Sequence, residues 1–317
     1  LRTTSETFLG WTTGCAGCHD HMFDPISQKD YYSLLAYFRN VKGYEKPGKN
    51  SSILSSISGG EALTISENGE NVPETHVLIR GEAAKPDYKV EPSVPSVFKM
   101  KITEPVPTGH SSGRRLALAN WIANPSNPLT SRVMVNRIWQ YHFGKGIVGS
   151  PNDFGQAGEP VSNLKLLDWL ATEFVSSGWS VKHMHRIIMN SKTYQRSSKS
   201  NPNNMTKDPS NIHHWRMNLR RLEAETLRDK ILQVSGLLNK KRGGPSFYPA
   251  LSGEVLSGAS KPGRGWGWSV EEEQNRKSVY AYVKRTMVYP FFELFDYANT
   301  EGSLGTRPQT TVATQAL

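Results

Sequence analysis

Residues 14–38, Gly14 to Phe38, read GCAGCHDHMFDPISQKDYYSLLAYF and hold both cysteines of the 317-residue chain. Cys15-Ala16-Gly17-Cys18-His19 is a C-x-x-C-H, the spacing at which two thiols add across the vinyl groups of a haem while the next residue supplies an axial imidazole. The two-residue spacer lets both sulfurs reach one porphyrin edge, and the histidine then swings beneath the ring to take the iron. Other chemistry uses the same residue types. A C-x-x-C pair serves as a redox dithiol or as half of a zinc site, and Cys15, Cys18, His19 and His21 offer four ligands. A split zinc site wants a second C-x-x-C or an H-x-x-x-H elsewhere, and a redox dithiol wants a βαβ setting; the sequence supplies neither. Ser27-Gln28-Lys29-Asp30 follows as a capping-box pattern. Tyr31, Leu34, Leu35 and Phe38 then recur at helical spacing, so the cysteines are expected in a loop just ahead of a helix that walls one side of a haem.

Farther along, NPLTSRVMVNRIWQYHFGKGIVGSPNDFGQAGEP and, behind it, LLDWLATEFVSSGWSVKHMHRIIMNSKTYQRSS are too idiosyncratic to be generic helix. Together with Gly14–Phe38, Arg221–Gly236, Lys277–Asp296 and the terminal TTVATQAL, they resemble a family of exported proteins of unknown function. In that family a planctomycete-type cytochrome c domain precedes a cytochrome-associated domain. The resemblance covers most of the chain. It implies a covalent haem c held by Cys15 and Cys18 with His19 on the iron, export to the periplasm or cell envelope, and no particular substrate. Family members often carry a histidine after the serine that opens the third long helix; here that residue is Asn163, which weakens any metal or acid/base role for the centre of the chain.

The length gives room for about two domains and a substantial core. Three segments are expected: 1–45, the end of a cytochrome c-like domain; 46–108, a linker with a small irregular β element; and 109–317, an α-rich domain cut at its C-terminus. The fold class is mainly α, a helical domain with a c-type haem loop-helix segment and a small irregular β connector. The chain opens on Leu1 without a methionine and stops at Leu317 in what reads as the start of a helix, so both ends are expected to be cuts. No run of eighteen apolar residues occurs, and no transmembrane helix is expected. With both cysteines assigned to haem, no structural disulfide is left.

Formal net charge is +10, and Lys182–Arg242 alone holds fourteen Lys and Arg against four Asp and Glu. The whole surplus therefore sits in one stretch. Such a field attracts an acidic partner such as a sulfated or uronic polysaccharide, an anionic lipid surface, an acidic redox protein or nucleic acid, while the more ordinary reading of a charge run is a solvated face on several helices. Trp215 and the basic residues around it form no recognisable RNA- or DNA-binding module, and no nucleic acid is expected.

Periodicity places helices at Arg114–Ala123, from a cap at Thr130 or Ser131 to Gly144, from Ser162 to Gly178, from Ser180 onward, and at Leu222–Leu238. Lys42–Asn71 reads as loop, Thr75–Arg80 as a strand, Tyr88–Ile102 as irregular or edge strand, and Val279–Val283 as a short strand. Gly243–Gln274 reads as a long loop in which Trp266 and Trp268 either pack or stack on sugar rings. Phe291–Phe295 is an apolar plug. The sixth haem position separates electron transfer from peroxide or oxygen chemistry, and its candidates are His142, Met134 and His110. His21 lies too near His19 to reach the opposite face of the same ring; it is expected to bond locally or to join Asp20 and Asp24 around another ion. Asp153, Glu159 and Asp168 are candidate acid/base carboxylates for a hydrolytic reading, with Asp153 also a natural turn former. An exported haem protein that passes electrons to a partner protein is the expectation. The alternatives are a non-redox envelope protein that binds acidic polysaccharide, and a metal-dependent hydrolase-associated protein.

Overall fold

Arg2–Thr4 makes a single helical turn, α1, which widens into a π-turn over Ser5–Leu9 and stops at Gly10, where φ is 59°. A Cβ at Gly10 would lie 2.8 Å from the Phe154 ring and 2.9 Å from Val133, so glycine is what allows this segment to lie on the helices behind it. The structure is a computed structural model that describes residues 1–42, 53–55, 61–63, 65–100, 102–257 and 265–315. The chain is mainly helical and forms two units, Leu1–Asn218 and Leu219–Leu317. Their boundary falls inside the stretch read above as one α-rich domain.

In the first unit α2 (Gln28–Leu35) starts as its sequence predicts. The Asp30 amide donates to the Ser27 hydroxyl oxygen, and one Asp30 oxygen accepts from the Ser27 amide at 2.9 Å and its hydroxyl at 2.7 Å. The other oxygen accepts from the Ser96 amide at 3.0 Å. One buried carboxylate thus caps a helix and fixes a loop distant in sequence.

The stretch Lys42–Asn71, expected as loop, contains two paired antiparallel strands, β1 (Ile53–Ser55) and β2 (Glu61–Leu63). Three residues per strand are too few to show a period of two. The rest of the expected loop between 43 and 64 lies outside the described residues. β3 (Thr75–Leu78) buries Thr75 and Val77 and pairs with β4 (Pro86–Val90) across a turn in which Arg80 and Gly81 are both left-handed. The irregular strand expected over Tyr88–Ile102 reduces to the end of β4 and a 3₁₀ turn at Ser96–Phe98. Pro92 and Pro95 cannot donate to a ladder.

Five helices complete this unit: α3 (Arg114–Ile122), α4 (Thr130–Phe143), α5 (Leu164–Ser176), α6 (Val181–Asn190) and α7 (Pro202–Lys207). Two caps differ from the sequence reading. The first amides of α4 are held by Asn127, which accepts from Leu129 and Thr130. α5 is capped by Asn163, while Ser162 gives its hydroxyl to the Ile147 carbonyl. Asparagine is as good an N-cap as serine. Ser180 caps α6 as predicted. α4, α5 and α6 enclose the largest core, with Val135, Ile138, Trp139 and Phe143 facing Leu167, Leu170, Phe174, Met184 and Ile188. Each large side chain buried there contributes about 1.5–3 kcal/mol. Asn136, fully buried, donates to the Val148 carbonyl at 3.0 Å and accepts from its amide at 2.9 Å, so a non-strand segment enters the core with its polar groups satisfied. A second core joins Leu9, Trp11, Ile26, Leu34 and Tyr37 to Leu118 and Trp121, so the N-terminal segment and α3 share one interior.

The second unit has α8 (Ala224–Val234), α9 (Gly253–Ser257), α10 (Glu271–Gln274) and α11 (Pro290–Leu294). α8 is shorter than its apolar pattern predicts. Gly236, at φ 77°, reverses the chain, and the Leu237 and Leu238 amides both return to the Leu232 carbonyl. Of the aligned residues Leu227 reaches the core, while Ile231 is 48% and Val234 85% exposed. Instead of a strand at Val279–Val283 there is a 3₁₀ turn at Ser278–Tyr280, with Ala281 bridged to Phe247. Phe292 and Phe295 bury as expected, in a core of only five buried residues, so polar staples matter more here. Arg276, with no exposed surface, donates to the carbonyls of Pro245 and Gly243, and Arg228 donates to those of Arg276 and Gln274. Arg221 pairs with Asp296 and bonds Gln315, and Arg307 grips Glu225 through both oxygens at 2.6 and 2.8 Å. No helix among the described residues is long and apolar enough to cross a membrane.

Two carboxylates of the first unit give stability predictions. Asp30→Ala removes the reciprocal half of the capping box and orphans the Ser96 amide, and should lower the unfolding free energy by about 2 kcal/mol in a urea titration followed by tryptophan fluorescence. Glu67, its side chain 2% exposed, accepts from Arg115, from the Ser112 amide and from the hydroxyls of Ser111 and Ser112. Burial alone would raise its pKa, but these donors outweigh it and hold the carboxyl at about 2, below the ordinary 4.5. Because the folded value is depressed, the contribution is full above pH 4.5 and fades as pH falls toward 2. Glu67→Gln should therefore cost about 2–3 kcal/mol at neutral pH, a difference that shrinks steadily in melts taken between pH 5 and about 2.

Candidate functional site

Cys15 and Cys18 lie on a 3₁₀ turn over Gly14–Gly17, closed by the Cys18 amide on the Cys15 carbonyl at 3.2 Å. Ala16 and Gly17, between them, are buried; both cysteines are free and exposed. The turn thus seats its small residues inward and shows its two thiols on the outside. His19 is exposed, with Nδ1 2.6 Å from the Asp20 carbonyl oxygen. A carbonyl only accepts, so Nδ1 carries the proton, and in the neutral ring the lone pair is on Nε2.

The turn is held from two sides. From α2, Tyr32 donates its hydroxyl to the Gly17 carbonyl at 2.9 Å, Gln28 reaches the same oxygen at 3.3 Å and the Leu78 carbonyl at 2.8 Å, and the Tyr31 ring lies against Gly17. Burial raises the Tyr32 hydroxyl's pKa, so it stays a donor. From the β3–β4 turn, Gly81 comes so close that a Cβ would stand 2.7 Å from Cys18 Sγ, and its φ of 75° also favours glycine. In the sequence Gln28 reads only as part of the capping box, and nothing there singles out Tyr32 or Gly81.

His21 bonds locally, as one of its two sequence readings had it. Its Nδ1 accepts from the Asp24 amide at 2.9 Å, and the side chain is 4% exposed. Asp20 accepts from the Gln28 amide. Among the described residues no three His, Cys, Asp or Glu side chains converge to hold a metal ion, so Cys15, Cys18, His19 and His21 do not form the four-ligand set that the sequence offered. Asp24 ties this region to the idiosyncratic run 151–159. It accepts from the Gln156 amide at 2.8 Å, with Gly155 pressed onto its carboxylate, and the Phe154 amide donates to the Gly10 carbonyl. Arg137 donates to the carbonyls of Glu6 and Pro151 and to Asn152. The run that looked most like a motif is the seat of the N-terminal segment.

The three candidate sixth ligands stand in different places. His142 shares a 2.8 Å hydrogen bond between its Nε2 and Nδ1 of His185, with Tyr194 edge-on to its ring. Met134 is packed, half-buried, against the α4–α5–α6 core. His110 is exposed in the loop before α3. His214, against Trp139 and Phe143, has its pKa lowered chiefly by burial, with the Trp139 indole N–H directed at its Nε2 at 3.4 Å. The acid/base carboxylates each have structural work. Asp168 pairs with Arg132 at 2.7 Å, Glu159 pairs with Lys145 at 2.6 Å, and Asp153 closes a turn by accepting from the Gly155 amide. Trp266 packs with Tyr248 and Tyr282, and Trp268 is 79% exposed.

Residues 114–317 match the family model PSD1, described as a protein of unknown function (DUF1553), and residues 1–43 match PSCyt2, described as a protein of unknown function (DUF1549). These are the two planctomycete cytochrome-associated domains that the sequence resembles. Neither the curated proteins nor the solved structures contain a match. With about two thirds of its length inside the first model, the chain belongs to the PSD1 family of proteins of unknown function, and a PSCyt2 segment carries its C-x-x-C-H turn.

Proposed function

We propose that the protein is an exported c-type haem protein, an electron-transfer or redox module of the cell envelope. The observation that carries this reading is the display of two exposed thiols on one turn beside an imidazole whose Nδ1 is already bonded to a carbonyl. That donor set fits a covalent haem: Cys15 and Cys18 would hold it through thioethers, and Nε2 of His19 would hold the iron. When bound, the group supplies a one-electron couple at its iron. The chain's own residues set the frame. The Asp20 carbonyl orients the His19 ring and raises its basicity, as second-shell acceptors do for ligating histidines. Tyr32 and Gln28 fix the Gly17 carbonyl so that the two sulfurs keep their spacing, and Gly81 closes the turn behind Cys18. Met22 and Phe23, 75% and 55% exposed, place apolar surface immediately after the motif, where a redox partner protein would make contact. Covalent attachment of this kind takes place outside the cytoplasm, which is the basis for the envelope location.

The test is an alkaline pyridine haemochrome spectrum of protein made with a cytochrome c maturation system, next to a Cys15→Ala, Cys18→Ala control. A c-type band that survives acid-acetone extraction and disappears in the control is expected; colourless protein from a system that loads a known cytochrome c overturns the reading. Gly81→Ala, which puts a Cβ against Cys18 Sγ at a left-handed position, should cost about 1–2 kcal/mol of stability and reduce the haem yield per chain, read from the same band.

A further inference from the structure

The basic stretch of the sequence divides between the two units: Lys182–Arg216 holds seven cations in the first and Arg220–Arg242 seven in the second. In the second unit several of those cations are already engaged. Arg221 meets Asp296, Arg228 holds carbonyls, and Lys241 pairs with Glu273. The acids are engaged too, since Glu225 is gripped by Arg307 and Glu273 also faces Arg276. Three of the four cations left over, all but Arg220, gather in one place with Lys277. Lys230, Lys240, Arg242 and Lys277 line a cleft of about 300 Å³ beside α8, and none of them pairs with a carboxylate among the described residues. Thr226, Gln233 and Asp229 complete its polar wall, with Asp229 anchored by the Ser278 amide at 2.7 Å.

We infer that this cleft is a binding site for a sulfated polysaccharide, taking one ester-bearing sugar ring at a time. Four cations outnumber the one carboxylate, Asp229, that lines the cleft with them and so call for an anion, and three of the four are lysines, point charges that suit a tetrahedral oxyanion rather than the planar, two-pronged geometry that arginine gives a carboxylate. The single carboxylate decides between sources of that oxyanion. Asp229 repels a bare anion but accepts from a sugar hydroxyl, and Thr226 and Gln233 add the mixed donors and acceptors that ring hydroxyls need. A phospholipid headgroup on a bilayer would also want apolar side chains at the rim. In the lining only Leu238 is apolar; of the exposed aliphatics on α8, Ile231 stands about 100–160° round the helix from Thr226, Lys230 and Gln233, and Val234 about 40° from Lys230. The volume is at the low end for small-ligand sites, right for one ring with the polymer running on outside. The site does not involve the cysteine turn, so its failure and that of the haem reading are separate results.

Binding of the full chain to dextran sulfate is measured by titration calorimetry at fixed ionic strength, with uncharged dextran and phosphatidylglycerol vesicles as the other arms. Lys240→Gln with Arg242→Gln, both exposed positions, should weaken dextran sulfate by about ten-fold, while Lys199→Gln with Lys207→Gln, an equal loss of charge on the first unit, should weaken it less than about two-fold. Thermal melts confirm that both variants fold. Equal weakening by the two pairs would mean diffuse charge attraction and would overturn the site. So would absence of dextran sulfate binding, or a cleft variant that loses only the vesicles.

Discussion

The carboxylate of Asp30 is where the geometry of the cysteine turn begins. By capping α2 and holding Ser96 it sets where that helix starts and how it is rotated. Helix rotation is what aims Gln28 and Tyr32, one turn apart, at the same Gly17 oxygen. The exposed thiols therefore rest on a buried acid more than ten residues away, through a chain of ordinary hydrogen bonds. A turn of four residues has no cooperative stability of its own, so its order is borrowed from the helix that grips it.

The same dependence explains why the N-terminal segment and the helices share interiors. Leu9, Trp11, Ile26, Leu34 and Tyr37 are too few to make a core, and they complete one with α3. Gly10 and Asp24 are held by the 151–159 loop, and Arg137 stitches Glu6 to that loop. The segment that displays the two cysteines has been given a rigid backing by a second, larger body of sequence.

Local signals in the sequence were largely legible, and tertiary ones were not. The capping box at Ser27–Asp30, the cap at Ser180 and the long apolar stripes of α4, α5 and α6 all rest on spacing within one turn or one helix, and each reads directly. Gly81 could not be recognised, because its reason for being glycine is a sulfur sixty-three positions earlier. Asn127 and Asn163 were passed over for neighbouring hydroxyls that look equally good without the backbone angles. α8 misled in the opposite direction: its stripe at Leu227, Ile231, Val234 and Leu238 is regular, but the small second core covers only its beginning. Net charge was legible as a sum over Lys182–Arg242, whereas its division between two bodies, and its partial consumption in carbonyl and carboxylate contacts, depends on the fold.

The staples of the second unit bear on how it comes into being. Arg276 meets Gly243 across 33 residues, Arg307 meets Glu225 across 82, and Arg221 meets Gln315 across 94. Contacts of such long range form slowly, because the loop must close before any of the interaction is gained. During synthesis α8 leaves the ribosome well before the residues that clasp it. Until Phe292 and Phe295 follow, Leu227 has no core to pack against on the nascent chain. The interval before those long-range contacts close is when the second unit is most open to capture by chaperones or by another copy of itself.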